Sequence, residues 1–264
     1  ELAKQLGVDL TSIQKEGLIT AADVRSAAAA SAPLQSPLHI EPTDPVTGDA
    51  TERVMIIGAG RGAEQVMDIF AQDSRQRAVG ILDDDPNHWS RTIDGVPDVG
   101  GVDRLAELSE HYDRVIIAVS KSTRARRVLR EKVEAAGATL TNAIDATSKI
   151  ATHVTLGVGN VICAFCQVGT KTELGDNNFL SAYNSVEHHN VWGRDISTGP
   201  GCMSSSRVRL GDGVRLGTGI FIQPGVELGE RVAVASGAVL VDSVPARHTV
   251  KTKVITTIVV PPRD

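Results

Sequence analysis

The stretch LGDGVRLGTGIFIQPGVELG, residues 210–229, places an aliphatic residue at every sixth position. These residues are Leu210, Leu216, Ile222 and Leu228, and glycine follows three of the four. An α-helix repeats every 3.6 residues and a half-buried strand every two, so neither element predicts a period of six. The stretch therefore indicates an internal repeat, which should extend beyond these twenty residues.

The same register continues without a slip through the C-terminal part of the chain. Steps of six from Ile150 to Leu240 reach sixteen positions, of which fourteen are apolar, and Thr198 and Ser204 are the exceptions. Three hexads form a triangular coil of 18 residues with its aliphatic side chains inward, and small residues relieve crowding near the corners. The pattern predicts a β-solenoid, a left-handed parallel β-helix of about five stacked coils over residues 147–248. Glycine follows the inward position at 157, 169, 175, 193, 199, 211, 217 and 229.

Composition excludes several classes of protein. The 264 residues carry a net charge of −5 with a pI near 5.8, so no nucleic-acid partner is expected. The apolar runs are far shorter than the roughly 20 residues of a membrane span, and a signal peptide is not evident. Three cysteines do not make a disulfide framework, and the CxxC of Cys163 and Cys166 falls on repeat positions. We expect a cytoplasmic protein without a membrane span.

Residues 52–146 predict a short Rossmann-like parallel α/β domain, because strands alternate with helices. The predicted helices follow the first strand, lie near 102–110 and span 122–136. The predicted strands are 54–57, AVGILDDD at 78–85, RVIIAVS at 114–120 and ATLTNAI at 138–144.

GAGRGA at 58–63 opens the first of these helices and is suited to a phosphate. Gly58, Gly60 and Gly62 would let the backbone approach the ligand. Asp83 and Asp84, at the end of the next strand, are either ligands of a ribose hydroxyl or part of a solvated turn. The segment offers little more than one mononucleotide half, so we expect one nucleotide rather than a dinucleotide.

The N-terminal residues 1–31 read as a two-helix module, ELAKQLGVDLTSI and LITAADVRSAAAA. The module resembles the peripheral-subunit-binding domain of 2-oxoacid dehydrogenase acyltransferases, and the resemblance implies a protein partner. Residues 32–51 contain four prolines and no periodicity, which is typical of a linker. Residues 249–264 form a C-terminal tail.

The combination of GAGRGA, LDDD and GVPDVGG with the hexapeptide repeat resembles the bacterial sugar acetyltransferases, across roughly 53–248. That family comprises sialic-acid O-acetyltransferases and nucleotide-sugar N-acetyltransferases. The resemblance implies a homotrimer that uses acetyl-CoA, with a sugar nucleotide held by the N-terminal domain and the prism of a neighbouring subunit.

The segment VEHHNVWG at 186–193 resembles the family motif I-E-H-D/E-x-x-I-G, which carries a catalytic histidine. The resemblance assigns the general base to His188, and His189 replaces the carboxylate that usually follows. Glu187, or an acid of an adjacent subunit, is the expected orienter. The second histidine of the family falls on Ser197. The alternative to a catalytic role is that the histidines lie on an exposed turn without a function, and this alternative is stronger for His189 than for His188.

Other site residues are assigned through the same resemblance. Backbone amides at Ser206, Thr218 and Ser236 are implied to hold the pantetheine arm. Steps of 18 put His188 between Thr170 and Ser206 on one edge, and Thr218 and Ser236 on another edge. The sugar nucleotide is implied to contact the glycine loop with Arg61, the acidic strand end, and the residues after the third strand, Ser120 and Lys121. Only one convincing histidine cluster exists, so no metal site is expected.

A sugar amine must be neutral to attack a thioester and must then lose a proton, which a histidine accepts near neutral pH. The sequence therefore predicts an acetyl-CoA-dependent N-acetyltransferase acting on a nucleotide-linked amino sugar, such as a 4-amino-4,6-dideoxyhexose. Attack is expected to be direct, because no cysteine or serine lies beside a base. Sugar O-acetylation of the sialic-acid type and a non-catalytic trimeric scaffold are the alternatives.

Overall fold

The structure, a computed structural model, describes residues 51–73, 75–89 and 91–252. The two-helix module at 1–31, all but the last residue of the linker at 32–51, and tail residues 253–264 lie outside the described residues. Two compact units are present. The described part of the first consists of residues 51–119 and 131–140, and that of the second of residues 120–130 and 141–252.

The first unit is built on a three-stranded parallel sheet, which confirms the predicted α/β class. Glu52–Ile57 is the central strand, between Gln76–Leu82 and Arg114–Ile117. The ends of all three strands are buried aliphatic runs, as expected for a parallel sheet with covered faces. The helix Arg61–Ala71 follows the central strand, and a small hairpin joins Thr92–Ile93 to Val96–Pro97.

The helix predicted near 102–110 is wrong. Two short 3₁₀ segments, Val102–Leu105 and Ser109–His111, occupy this stretch. The hydroxyl of Tyr112 donates to the carbonyl of Leu105 at 2.9 Å, so that carbonyl is bound by a side chain. An α-helix through this stretch would bind the same carbonyl with the amide four residues later.

The second unit is a triangular parallel β-helix of about six coils, one more than predicted. Each face is a ladder of two-residue strands that pair with the residues 18 positions away, except for the last strand of the first face, which pairs 16 positions back, Thr249 with Ala233. The first face consists of Ala143–Ile144, Val161–Ile162, Phe179–Leu180, Ser197–Thr198, Arg215–Leu216, Ala233–Val234 and Thr249–Val250. The second face consists of Lys149–Ile150, Gln167–Val168, Ser185–Val186, Met203–Ser204, Phe221–Ile222 and Val239–Leu240. The third face consists of Thr155–Leu156, Glu173–Leu174, Val191–Trp192, Arg209–Leu210 and Glu227–Leu228.

The aliphatic residues of the hexads form one continuous buried core inside the prism. Three positions after each inward residue, the backbone adopts a positive φ from Gly159 to Gly237. Eight of these left-handed positions carry a side chain rather than glycine: Phe165, Lys171, Asn177, Tyr183, His189, Asp195, Arg207 and Arg231. The glycines that directly follow the inward residues have another purpose, because an added Cβ there would meet the backbone of the next coil.

The β-helix begins earlier than residue 147. Leu140 bridges to Val115 of the parallel sheet, whereas Ala143–Ile144 pairs with Val161–Ile162 on the first face. The predicted strand ATLTNAI is therefore divided between two sheets. Asn142 holds the start of the first coil, because its side chain accepts from the amide of Asn160 at 2.8 Å and donates to the carbonyl of Gly157 at 2.9 Å.

The predicted helix at 122–136 is present as Thr123–Ala135, and its first half belongs to the second unit. Arg126 is fully buried; its Nε donates to the carbonyl of Asn177 at 2.8 Å and its Nη2 to Oδ1 of Asn177 at 2.6 Å. Arg130 pairs with Asp195 at 3.1 Å, and Asn177 donates to Asp195 at 2.7 Å. Asn177 and Asp195 occupy left-handed positions one coil apart, so two arginines hold this half of the helix to one corner of the prism.

Candidate active site

The histidine pair lies in a turn that follows Ser185–Val186 of the second face. The amide of His189 donates to the carbonyl of Thr170 at 3.0 Å, and the amide of Arg207 donates to the carbonyl of His188 at 3.2 Å. His188 is therefore held between the coils of Thr170 and Ser206, as the steps of 18 predict. Its side chain is half-buried, whereas His189 is exposed.

A buried asparagine, absent from the predicted site, supports this turn. Asn190 is fully buried, and its side-chain amide donates to the carbonyl of Glu187 and, at 3.0 Å, to that of Ser205. The hydroxyl of Thr172 also donates to the Glu187 carbonyl, at 2.9 Å. The recurrence of asparagine every six residues at 178, 184 and 190 is the sequence signal that could have revealed this role.

The two imidazoles form a side-chain pair. Nδ1 of His188 lies 2.9 Å from Nδ1 of His189, and the rings meet edge to face with centroids 5.1 Å apart. Within the part of the chain that the structure describes, Nε2 of His188 has no hydrogen-bond partner. The carboxylate of Glu187, the predicted orienter, likewise makes no hydrogen bond to His188 among these residues.

The three predicted pantetheine positions lie on two edges of the prism. Ser206 is on the edge of His188, one coil further along, and neither its amide nor its hydroxyl is bonded within the described ranges. Thr218 and Ser236 are exposed on another edge, where the amide of Thr218 donates to Oγ of Ser236 at 3.0 Å. Ser206 therefore presents a free donor beside the histidine, whereas the Thr218 amide is already used.

Ser197 does not take the place of a second catalytic histidine. It lies in a strand of the first face, is 4% exposed, and its hydroxyl donates to the carbonyl of Ser120. Ser197 therefore holds the segment before the helix Thr123–Ala135, and its hydroxyl hydrogen is already used in that bond. The position where the family motif has its second histidine is therefore occupied by a structural serine in this chain.

The three glycines of the loop in the first unit have different surroundings. Gly58 has a φ of +103°, which disfavours any other residue. Gly60 precedes the helix Arg61–Ala71, and no atom lies within 4 Å of the position of an added Cβ. A Cβ on Gly62 would collide with the carbonyl oxygen of Ala118, so this glycine permits close packing of helix on strand. Backbone is therefore accessible at Gly60 on the N-terminal side of the helix.

The two predicted acidic ligands already have partners inside the protein. Oδ2 of Asp83 accepts from the amide of Ala59 in the glycine loop at 2.6 Å. Asp84 accepts from the amide of Val102 at 3.0 Å and pairs with Lys132 at 2.7 Å. Asp83 thus fixes the glycine loop, and Asp84 fixes the segment around Val102.

A third acid, Asp98, was not singled out from sequence. It is 5% exposed, and its Oδ1 accepts from the amide of Gly100 at 3.1 Å, while Oδ2 has no partner in the described structure. Burial raises the pKa of Asp98 to about 6, the charge of Asp83 acts in the same direction, and the Gly100 amide opposes them. His88, whose Nδ1 lies 3.4 Å from Asp83, is close enough to lower the same pKa.

The two predicted cations are free of ion pairs among the described residues. Arg61, at the first turn of its helix, belongs to the first unit, and Lys121 with Ser120 belongs to the second. Both side chains are exposed. Across the described ranges, no cluster of three or more His, Cys, Asp or Glu side chains could hold a metal ion, and no helix is long and apolar enough to cross a membrane.

All three cysteines are buried and free. Burial raises the pKa of the Cys163 thiol to about 12, and it raises the pKa values of Cys166 and Cys202 as well. A thiol with a raised pKa carries little thiolate at neutral pH and is a weak nucleophile. None of the three is suited to a covalent acyl intermediate.

Comparison with known proteins relates both parts of the chain to characterised folds. Residues 53–133 match the PglD N-terminal domain family. The chain is similar to the GDP-perosamine N-acetyltransferase of Caulobacter crescentus, whose histidine-to-alanine mutant was solved in complex with CoA and GDP-perosamine. The two sequences are 28% identical, and the structures superpose with a TM-score of 0.71 over 77% of this chain and 95% of that one. The acetyltransferase domain of PglB from Neisseria gonorrhoeae, in complex with acetyl coenzyme A, is 25% identical with a TM-score of 0.70, covering 76% and 96%.

WeeI from Acinetobacter baumannii, at 22% identity and a TM-score of 0.62 over 75% of this chain and 96% of its own, shares the fold. A comparison with curated protein sequences gives no match.

Proposed function

We propose that this chain, a member of the nucleotide-sugar acetyltransferases that join a PglD-type N-terminal domain to a left-handed β-helix, is an N-acetyltransferase. Its acetyl donor is acetyl-CoA, and its acceptor is the amino group of a nucleotide-linked amino sugar, such as a 4-amino-4,6-dideoxyhexose. The relatives whose structures contain CoA, acetyl-CoA or GDP-perosamine support this choice of substrates.

One observation carries the proposal. His188 is a half-buried imidazole on an edge of the prism, with Nδ1 bonded and Nε2 available. The unbonded amide and hydroxyl of Ser206 lie one coil away on the same edge. A general base next to a free backbone donor is the arrangement that acyl transfer from a thioester needs.

In the proposed reaction, acetyl-CoA supplies an activated acetyl thioester. Nε2 of His188 accepts the proton that the sugar amine loses as its nitrogen bonds to the acetyl carbon. The C–S bond then breaks, and the proton passes from His188 to the departing CoA thiolate. We assign to the amide of Ser206, which has no partner among the described residues, the donation to the oxygen that becomes negative. Transfer is direct, because the three thiols of the chain are buried.

The nucleotide is assigned to the first unit. The open backbone at Gly60 and the N-terminus of the helix Arg61–Ala71 suit a phosphate, and the exposed guanidinium of Arg61 adds positive charge. Asp83 contributes by fixing the loop through the amide of Ala59.

The quaternary state that we propose is a homotrimer. Met203, Phe221 and Val239 lie 18 residues apart on the second face, and their side chains are 46, 46 and 59% exposed. Phe165 and Tyr183, exposed at an adjoining corner, stack with ring centroids 5.0 Å apart. An apolar stripe of this kind is typical of a surface covered by another subunit. Phe221→Lys should therefore yield monomers in light scattering.

We also propose that the protein is cytoplasmic, because its three cysteines are free thiols rather than disulfides.

The decisive test is His188→Asn, assayed with acetyl-CoA and a panel of UDP-, dTDP- and GDP-linked amino sugars. We expect kcat to fall on the order of 10²-fold or more, with little change in KM, because a general base contributes typically 10²–10⁴-fold. His153→Asn, at an exposed histidine of the first coil, is the matched control and should retain full activity.

Three outcomes of this assay would contradict the proposal. Acetyl transfer by His188→Asn within a few-fold of the unmodified protein would remove the base assignment. Acetylation of sialic acid, added to the same panel, with every amino sugar inert would instead favour O-acetylation of the sialic-acid type. A protein inactive on all these acceptors would favour the scaffold.

A further inference from the structure

We infer that His189 positions the catalytic imidazole: its Nδ1 accepts a hydrogen bond from Nδ1–H of His188 and thereby keeps Nε2 of His188 basic. The inference rests on the proposed function and assigns to a neutral imidazole the task that a carboxylate performs in the motif this turn resembles.

The distance between the two Nδ1 atoms, 2.9 Å, is that of a hydrogen bond. A ring nitrogen of neutral imidazole is either a donor or an acceptor, so such a bond requires a proton on one Nδ1 and none on the other. If His188 holds the proton, its Nε2 is free to take one from the sugar amine. If His189 holds it, Nε2 of His188 is already protonated and cannot act as the base.

The backbone explains why the partner is the adjacent residue. His189 occupies the left-handed position of its hexad, with a φ of +60°, and its amide is bonded to the carbonyl of Thr170. This conformation turns the chain at the corner from one face to the next, and the rings of the two consecutive residues meet edge to face there. Elsewhere along an extended strand, neighbouring side chains point to opposite faces and do not meet.

The charged groups around the pair are few. Lys171 and Arg207 occupy the same left-handed position in the coils before and after His189, and both are exposed. Glu187 is the acidic residue of the turn and has no bond to either ring among the described residues. The hydrogen bond between the rings is therefore the contact by which one tautomer of His188 can be selected.

A neutral acceptor has a consequence that a carboxylate would not have. An aspartate at this position would select the same tautomer but would also stabilise the imidazolium by its charge. With His189 as the acceptor, the hydrogen bond selects the tautomer without adding a negative charge beside the imidazole. The acid limb of the rate profile should therefore move to higher pH when an acidic side chain replaces His189.

The test compares three proteins in full length: unmodified, His189→Gly and His189→Asp. Glycine removes the ring without strain at a positive φ, and aspartate tolerates this conformation better than most residues. Arg231→Gly, a change at a left-handed position on another edge, is the matched control. The readouts are the pH profile of kcat/KM and the protonation of the His188 nitrogens in long-range ¹H–¹⁵N spectra.

We expect His189→Gly to lower kcat on the order of 10-fold or more, because part of the His188 population then has the wrong tautomer. His189→Asp should recover most of this loss and shift the acid limb upward by about one pH unit. In the spectra, His188 should carry its proton on Nδ1 in the unmodified protein and in His189→Asp.

The inference is overturned if His189→Gly keeps the activity and pH profile of the unmodified protein, or if His188 carries its proton on Nε2. Failure of the proposed function is a separate result, because it would appear as an active His188→Asn variant. The spectra report the tautomer whether or not the correct sugar nucleotide is in the assay.

Discussion

The backbone nitrogen of His188 lies 2.7 Å from the position that a Cβ atom would take on Gly169, one coil before it. The carbonyl carbon of Glu187 is 2.9 Å from the same position. A methyl group cannot be placed there unless the turn that carries the histidine pair moves. The glycine in the preceding coil thus sets how closely this turn can pack on the prism, and with it the place of the imidazole.

Gly169→Ala should therefore lower catalytic activity through displacement of His188. We expect kcat to fall on the order of 10-fold, because small misplacements of a reacting group have large effects on rate. Gly175→Ala is the matched control, because its Cβ would lie 2.7 Å from the carbonyl oxygen of Gly193, away from the histidines. Both variants should lose similar thermal stability, and equal activity in the two would contradict the positional role of Gly169.

Arg126→Met should strongly destabilise the β-helix. The side chain is fully buried and makes two bonds to Asn177, so its removal leaves polar groups without partners at an estimated cost of about 3 kcal/mol. The measurement is urea unfolding followed by the fluorescence of the buried Trp192, in a Trp89→Phe background. Arg124→Met, at an exposed position of the same helix, should leave the midpoint unchanged. Identical midpoints for both variants would contradict this account.

Asp98 should make stability depend on pH in the mildly acidic range. Its pKa in the folded protein is about 6, above the ordinary aspartate value of 3.8, so between these values the folded state holds a proton that the unfolded state has lost. Stability therefore falls as pH rises from about 4 to 6, by up to roughly 3 kcal/mol, and stays lower above that range.

Asp98→Asn should remove this loss, since an amide oxygen can still accept from the amide of Gly100. We expect a higher melting temperature than the unmodified protein at pH 7.5 and a smaller difference at pH 4.5, measured by calorimetry. Asp68→Asn, on the exposed side of the first helix, should leave the pH dependence unchanged. A melting temperature that is lower in Asp98→Asn at pH 7.5 would contradict the raised pKa.

The buried thiols should be inert in the folded protein. Because burial raises the pKa of all three cysteines, a thiol reagent at pH 7.5 should label them far more slowly than an exposed thiol. Full labelling of three thiols is expected in urea, and acetyl transfer should survive treatment of the native protein. Rapid labelling of one cysteine with loss of activity would instead indicate a covalent intermediate.

Much of the second unit was predictable because its repeat is local. Each coil binds the next at a constant step of 18, so the hexad pattern alone predicts the prism, its inward residues and the edge on which His188 lies. The glycine loop was predictable only in part: the positive φ of Gly58 is a local property of the turn, whereas Gly62 is required by its contact with the carbonyl of Ala118, distant in the sequence. Side chains that contact residues at no regular spacing gave no such signal.

Sequence by itself determined the β-helix and the position of the histidine turn, because residues at a constant spacing in the repeat occupy equivalent positions in successive coils. It also determined the parallel sheet, because strands alternate with helices along the chain. Tertiary structure decided what the side chains do there. Ser197 proved to be an anchor for the carbonyl of Ser120, 77 positions away, and Arg126 binds Asn177, 51 positions away. The tertiary structure also decided that the ring of His189 contacts the ring of His188. This contact depends on the positive φ of His189, which the residue spacing in the sequence does not specify.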